Sequence, residues 1–463
     1  MPLHPALATL AAPIRPPDLR RHVANSKIAR NLGWKTLGTV VEKLLKLALI
    51  PIIARSLGPR VYGQFNYALG IAAMFVQLTD LGLGIFLARE IARHDEPPRR
   101  LIGQVLTLKA VLAVGYLGLI GLLAWWHLVD PRAGEGGKGL HPGALAFTVA
   151  ILGLASLGVS AVESIWQVFR GVQRLELEAA SSSFFALAQL VFVVAAVAVA
   201  SVLWPDGSDL SMIMVLIAAG MAMAGMAGAT HAAWLMRQVV SPHYGWSTEA
   251  LGRFRREVLP LGVAIVASFI YFKLDVVLLR HFVGDEETGW YSAAYKPIEY
   301  MGIIPATLLA ATFPALSQTV LNDPQRAWRL HRNSALALAA AGVVGTLVLV
   351  MIPEFIIGTL VGPEFGPSVT MLRWLAPSVL LTMLNCLETH MLVALGRVKS
   401  QMAFTLVLIG INLGTNWLLI PKWGGVGAAI STWVTELVLF AFCAPLVYRE
   451  LKLRMALTPV AAG

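Results

Sequence analysis

Seven ionisable side chains sit deep inside apolar stretches of this chain: Lys43, Lys46, Lys109, Lys273 and Lys296, with Glu42 and Asp275. A charged group at bilayer depth costs about 2.5 kcal/mol or more on insertion scales, so each needs a partner, a route to the headgroups or a ligand. The five lysines, spread over the first, third, seventh and eighth apolar stretches, suit an anion, most naturally a phosphate or pyrophosphate group. Asp275 or Glu42 suits a proton or sodium ion that couples a gradient to a conformational change.

Helical spacing alone sorts these charges. Glu42 and Lys46 are four apart and Lys296 and Glu299 three apart, so each pair falls on one helix face and can neutralise itself. Lys43 lies about 100° around the helix from Glu42, and Lys109 lies about 12 Å into its stretch; neither has a local partner. Lys273 and Asp275, two apart, face nearly opposite ways and are not expected to pair. Lys35 and Arg373 are placed to snorkel to the headgroups. Glu163, Glu388 and Glu436 are anions that can meet cations across helices, and Asp80 precedes Leu81-Gly82-Leu83-Gly84 as a helix cap. His231 and His390 read as core or headgroup contacts. A cavity for cationic drugs would be acidic, but in-membrane anions also number about seven, so geometry rather than net charge decides.

The elements that hold these residues are set by composition. The 463 residues are 57% hydrophobic and 13% charged, about half the charge content of a soluble domain. About twelve stretches reach the roughly 20 apolar residues that cross a bilayer: Gly33 to Ala54, Val61 to Leu78, Leu101 to Leu128, Gly143 to Phe169, Ala179 to Trp204, Ser211 to Met236, Glu257 to Val283, Gly289 to Leu316, Ser334 to Leu360, Ser368 to Leu395, Gln401 to Ile420 and Gly425 to Val447. With the basic first 32 residues in the cytoplasm, about 23 of the 36 Lys and Arg fall inside, about 6 outside and about 7 within spans, as the positive-inside rule requires. The expected division is a basic cytoplasmic tail (1–32), a six-helix lobe (33–237), a cytoplasmic linker (238–256), a second six-helix lobe (257–447) and a cytoplasmic tail (448–463). Pro51, Pro260, Pro297, Pro305, Pro314 and Pro377 fall inside spans, where each permits a bend. No segment outside the membrane exceeds about 30 residues, too few for a nucleotide-binding domain, and no phosphate-binding loop motif is present. The basic balance therefore reads as topology rather than nucleic-acid binding, and no enzyme activity or cofactor is expected. Cys386 and Cys443 lie in apolar segments as packing residues.

An internal repeat supports two lobes. Gly58 and Gly63 with Phe65, in Leu57-Gly58-Pro59-Arg60-Val61-Tyr62-Gly63-Gln64-Phe65, recur 226 positions later as Gly284 and Gly289 with Tyr291. Gly171-Val172-Gln173-Arg174 and Gly396-Arg397-Val398-Lys399 correspond at nearly the same offset. Six spans per half relate the halves by an axis along the membrane normal, with a cavity between them. The run Gly220 to Gly228 gives the sixth span a small-residue surface for close packing.

These strings resemble a known family. Ala54-Arg55-Ser56-Leu57-Gly58-Pro59-Arg60-Val61-Tyr62-Gly63, Asp80-Leu81-Gly82-Leu83-Gly84 and Arg89-Glu90-Ile91-Ala92 look like the opening of polysaccharide exporters and Wzx-type oligosaccharide flippases. Leu274 to Leu279 and Thr288-Gly289-Trp290-Tyr291-Ser292-Ala293-Ala294-Tyr295 resemble the start of their second lobe, and Gly424 to Ala429 the entry to their last span. The resemblance covers about residues 25 to 450. It implies an all-α integral membrane fold of twelve helices in two six-helix lobes around a central cavity, shared with multidrug antiporters. It implies movement of a polyprenyl-diphosphate-linked oligosaccharide, with membrane lipid, from the inner to the outer leaflet of a bacterial inner membrane. A coupled H+ or Na+, or removal of product by a polysaccharide polymerase, would give direction. The alternative on the same fold is a multidrug or small-molecule cation antiporter; a membrane-embedded transferase would need an active-site loop that the sequence does not offer.

Overall fold

The computed structural model describes residues 19–93, 98–129, 141, 143–246, 251–252 and 254–457; the first 18 residues of the expected tail and part of the linker lie outside these. Among the described residues there is no strand. In hydrocarbon a chain has no water to satisfy its peptide groups, and a helix satisfies them internally. The first half comprises α1 (Leu19–Val76), α2 (Leu83–Ile91), α3 (Arg99–Val129), α4 (Ala144–Gly171), α5 (Leu175–Leu203) and α6 (Leu210–Arg237). The second comprises α7 (Leu259–Val283), α8 (Asp285–Met301), α9 (Ile303–Asn322), α10 (Pro324–Met351), α11 (Pro353–Leu360), α12 (Pro367–Leu375), α13 (Pro377–Ala394) and α14 (Val398–Leu457).

Each of the twelve apolar segments lies in helix. Among the described residues, length and composition identify seven helices able to cross a membrane, or up to nine if each of two bent pairs is one span. The longest helices are broken by glycine. At 1.5 Å per residue, the 58 residues of α1 would form a rod of roughly 87 Å, about twice a bilayer. Gly58, at φ 66 and ψ 170, interrupts it, a conformation that favours glycine. Gly424, at φ 56, does the same in the 60-residue α14. Large apolar side chains such as Val111, Val114 and Leu122 on α3 and Leu336, Val344 and Leu347 on α10 point outward. A multi-pass membrane protein presents such a surface to lipid.

Within the first half, α4 packs on α6 through the small residues expected there. A Cβ on Gly158 would lie 2.8 Å from the Gly225 backbone, and one on Gly220 2.7 Å from the Phe192 carbonyl. In the second half, α13 and α14 are joined by Asn385, whose Nδ2 donates to the Glu436 carbonyl at 2.8 Å and to its Oε2 at 2.7 Å.

The halves meet through the repeated glycines themselves. A Cβ on Gly63 would stand 1.8 Å from the Asp285 carbonyl oxygen, and one on Gly289 1.9 Å from the Pro59 carbonyl oxygen. These contacts exchange under the 226-residue shift, so α1 and α8 cross with their backbones touching. Around the crossing, Gln64 Nε2 donates to Asp285 Oδ2 at 2.7 Å and Arg55 donates to the Thr359 carbonyl at 2.6 Å. At the opposite end of the bundle, a Cβ on Gly262 would lie 2.1 Å from the Leu81 carbonyl.

Gly63→Ala must push these helices apart. It should lower the thermal midpoint by several degrees, consistent with the roughly 1–3 kcal/mol that overpacking costs. Gly115→Ala, which meets nothing within 4 Å, serves as the control; equal midpoints for the two variants would contradict the close crossing.

Candidate functional site

The chain turns at Gly284, leaving α7 and α8 side by side with α1 facing them. Lys273 and Asp275 on α7, Tyr291, Tyr295, Lys296 and Glu299 on α8, and Asn66 and Gly70 on α1 line one cavity of about 50 Å³. Lys273 and Asp275 do not pair, but they share this cavity instead of facing apart: the long flexible lysine stem reaches a void that the short Asp275 side chain borders directly.

Lys296 Nζ donates to Glu299 Oε2 at 3.0 Å, the local pair that their spacing predicts. Lys43 reaches across from α1 to lie over the Tyr300 ring, 5.8 Å from its centroid, a cation–π distance. Glu299 interacts electrostatically with Lys296, Lys273 and Lys43. Of the three, Lys296 alone contacts Glu299, Lys273 lines the same cavity and Lys43 lies over the neighbouring Tyr300; Lys273 has no ion pair among the described residues.

Asp275 is 8% exposed. Its carboxylate accepts from the Tyr291 hydroxyl at 2.9 Å, Asn416 Nδ2 at 2.7 Å and Thr432 Oγ1 at 3.2 Å. Asn416 also donates to Asn412 Oδ1 at 3.1 Å. The carboxylate is therefore held by neutral donors from α8 and both arms of α14, with no cation among the described residues bonded to it. Neutral donors fix its position without cancelling its charge.

The other two predicted lysines lie elsewhere. Lys109 is not partnerless: it forms an ion pair with Asp80 and donates to Ser164 Oγ at 2.6 Å. Sequence spacing missed this because the partners are on different helices. Asp80 also caps, as expected, accepting from the Gly82 and Gly84 amides at 3.1 Å each. Lys46 pairs with Glu42 at 2.7 Å and lies 5.6 Å from the Phe185 ring centroid. Glu42 is thus a local ion-pair partner, on a different helix from Asp275. Lys35 pairs with the buried Glu178, which Arg170 also grips at 2.6 Å. Glu163 interacts electrostatically with Lys46 and Lys109.

Further polar residues complete the interior, among them Glu388, expected to meet a cation across helices, and His331, which spacing did not single out. His331 and Glu388 meet at 3.0 Å between α10 and α13. The Asn412/Asn416 pair, four apart in an apolar run, was a legible signal for a polar stripe facing Asp275. The half-buried His231 stacks on Phe184 at 4.1 Å, and the exposed His390 contacts the Cys386 carbonyl at 2.6 Å.

Residues 28–320 match the family described as "Polysaccharide biosynthesis protein", and residues 260–418 match the family MatE. The "Putative O-antigen transporter" of Shigella flexneri is 22% identical over 92% of this chain and 98% of its own length. The "Probable flippase AglR" of Haloferax volcanii is 29% identical, the match spanning 35% of each chain. An inward-facing multidrug resistance MATE family transporter of the MOP superfamily superposes with TM-score 0.68 at 13% identity, covering 92% of this chain and 96% of that one. The lipid II flippase MurJ superposes with TM-score 0.67 at 12% identity, covering 91% and 90%. These likenesses establish a MATE-like all-helical membrane fold.

Removing one partner of a buried ion pair leaves the other charge uncompensated, at a cost of about 3–5 kcal/mol. Lys109→Met should therefore destabilise the protein strongly. Adding Asp80→Asn, which removes the orphaned charge but keeps the capping oxygen, should recover most of the thermal midpoint. No recovery in the double variant would contradict a mainly structural role for this pair.

Proposed function

From the premise that this chain belongs to the polysaccharide biosynthesis protein family, we propose that it is a flippase. It moves a polyprenyl-diphosphate-linked oligosaccharide across the bilayer by alternating access. The observation that carries this reading is the cavity where Lys273 and Lys296 meet Glu299 and Asp275, with Lys43 reaching over Tyr300 from the other half, a set of cations from both halves that can take an anion. Ammonium groups shielded from water hold phosphate oxygens with charge-assisted hydrogen bonds.

The cavity of about 50 Å³ is far below the 300–1,000 Å³ of small-molecule sites, so a diphosphate-sugar headgroup enters only when the halves part. The carrier brings its own hydrophobic anchor, and the protein shelters only the polar part. Separation on the cytoplasmic side admits the headgroup; separation at the Gly63/Gly289 crossing releases it outside. The halves act as lobes (33–237 and 257–447) joined by the 238–256 linker, with both termini cytoplasmic in a bacterial inner membrane.

Asp275 is the coupling residue in this reading. A proton or sodium ion on its carboxylate rearranges the bonds to Tyr291, Asn416 and Thr432, and these reach both α8 and α14. Downstream polymerisation removes the product. Catalysis of bond-making plays no part.

The test is complementation of a strain lacking the gene. Lys273→Ala with Lys296→Ala should abolish surface polysaccharide at normal protein level, whereas Lys109→Met with Asp80→Asn should retain most of it. Intact polysaccharide with altered dye efflux in the first variant would overturn the reading in favour of a cation antiporter.

A further inference from the structure

A second cavity, remote from the cleft lysines, lies in the first half. α3 and α6 both pack on α4, with little direct contact between them, and a groove of about 310 Å³ remains over α4. Its walls are Leu106, Ala110 and Ala113 of α3 and Ala233 and Met236 of α6, with Leu157, Ala161 and Ile165 of α4 as its floor. The α3 wall runs eight residues, about 10 Å along the helix axis. The exposed Ala110 and Ala161 mark where the groove opens along the flank of the helix.

The mouth is built from different chemistry. Tyr244, on the segment that joins the two halves, lines it. That segment is bolted to α3, because the His243 amide donates to the Arg99 carbonyl at 3.0 Å and Gly103 lets His243 approach so closely that a Cβ would stand 1.8 Å from its carbonyl oxygen. Arg99 and Arg100 begin α3 and Arg237 ends α6, next to Met236; all three are exposed. Among the described residues no carboxylate pairs with any of them. None of the three lines the slot itself, but Arg237 adjoins Met236 and Arg99 is tied through His243 to Tyr244. They form a basic rim beside a mainly apolar slot, whose lining also includes Thr79, Ser160 and Ser164, the form of a site for an anionic lipid.

We propose that this groove binds one anionic phospholipid of the surrounding bilayer, its chain along α4 and its phosphate among Arg99, Arg100 and Arg237. The rim favours a resident phospholipid over the carrier. Lys109, the one cation lining the groove among the described residues, is already committed to Asp80 and Ser164, so the phosphate is held at headgroup depth and not drawn inward. A bound lipid would bridge α3, α6 and the connecting segment, holding that segment against the first half. This inference does not depend on the cargo of the cleft.

Native mass spectrometry of the full-length protein, titrated with phosphatidylglycerol, phosphatidylcholine or a polyprenyl phosphate, tests it. Wild type should retain one phosphatidylglycerol that phosphatidylcholine does not replace. Arg99→Gln/Arg100→Gln/Arg237→Gln should raise the half-saturating concentration roughly tenfold or more. Ala161→Phe, or Ala110→Phe if the first folds poorly, should abolish the extra lipid by filling the slot. Unchanged retention in the arginine or the filled variants would overturn the proposal. So would equal retention of phosphatidylcholine, or displacement by polyprenyl phosphate at equal concentration.

Discussion

A charge inside a low-dielectric bundle must be compensated, and the structure is organised by how each one is. Four cations in the first half are matched by contact: Lys35 and Arg170 share Glu178, Lys46 pairs with Glu42 and Lys109 with Asp80. Those pairs lock helices to one another and leave little charge to offer a ligand. The cleft breaks this pattern. There Lys43, Lys273 and Lys296 share Glu299, and the other carboxylate lining the cavity, Asp275, is held by hydroxyl and amide donors. Cations and carboxylates around this cavity are therefore not matched one to one.

The same cleft sits at the junction of two halves that touch through glycine. Bare backbone at Gly63 and Gly289 lets α1 and α8 approach closely; Gln64 bonds to Asp285 and Arg55 to the end of α11, while Leu57, Tyr62, Phe65, Tyr291 and Phe365 bury an apolar contact beside them. The clustered charges and the contact between the halves thus coincide on α1 and α8.

Much of this was legible in the sequence. Apolar runs gave the helices because in lipid helix formation follows from length and hydropathy. The glycine repeat was visible, and it proved to be the contact between halves. The pairs Glu42/Lys46 and Lys296/Glu299 followed from helical spacing. What spacing could not supply was any partnership between helices: Lys109 with Asp80, Lys35 with Glu178, His331 with Glu388. Lys273 and Asp275 mark the limit on one helix, where angular position predicted opposite faces but side-chain length brought both to one void. The two long helices, α1 and α14, each join two apolar segments across a glycine, so counting segments and counting helices give different answers.

The central claim is that the cleft lysines hold a diphosphate. The most direct measurement is equilibrium binding of a polyprenyl diphosphate and of the uncharged polyprenol to the purified protein and to its Lys273→Gln/Lys296→Gln variant in nanodiscs. The account predicts that the protein prefers the diphosphate by roughly tenfold or more, as two charge-assisted contacts imply, and that the variant loses this preference while binding polyprenol as before. Equal affinity for the two lipids, or a preference that survives loss of both lysines, would contradict it.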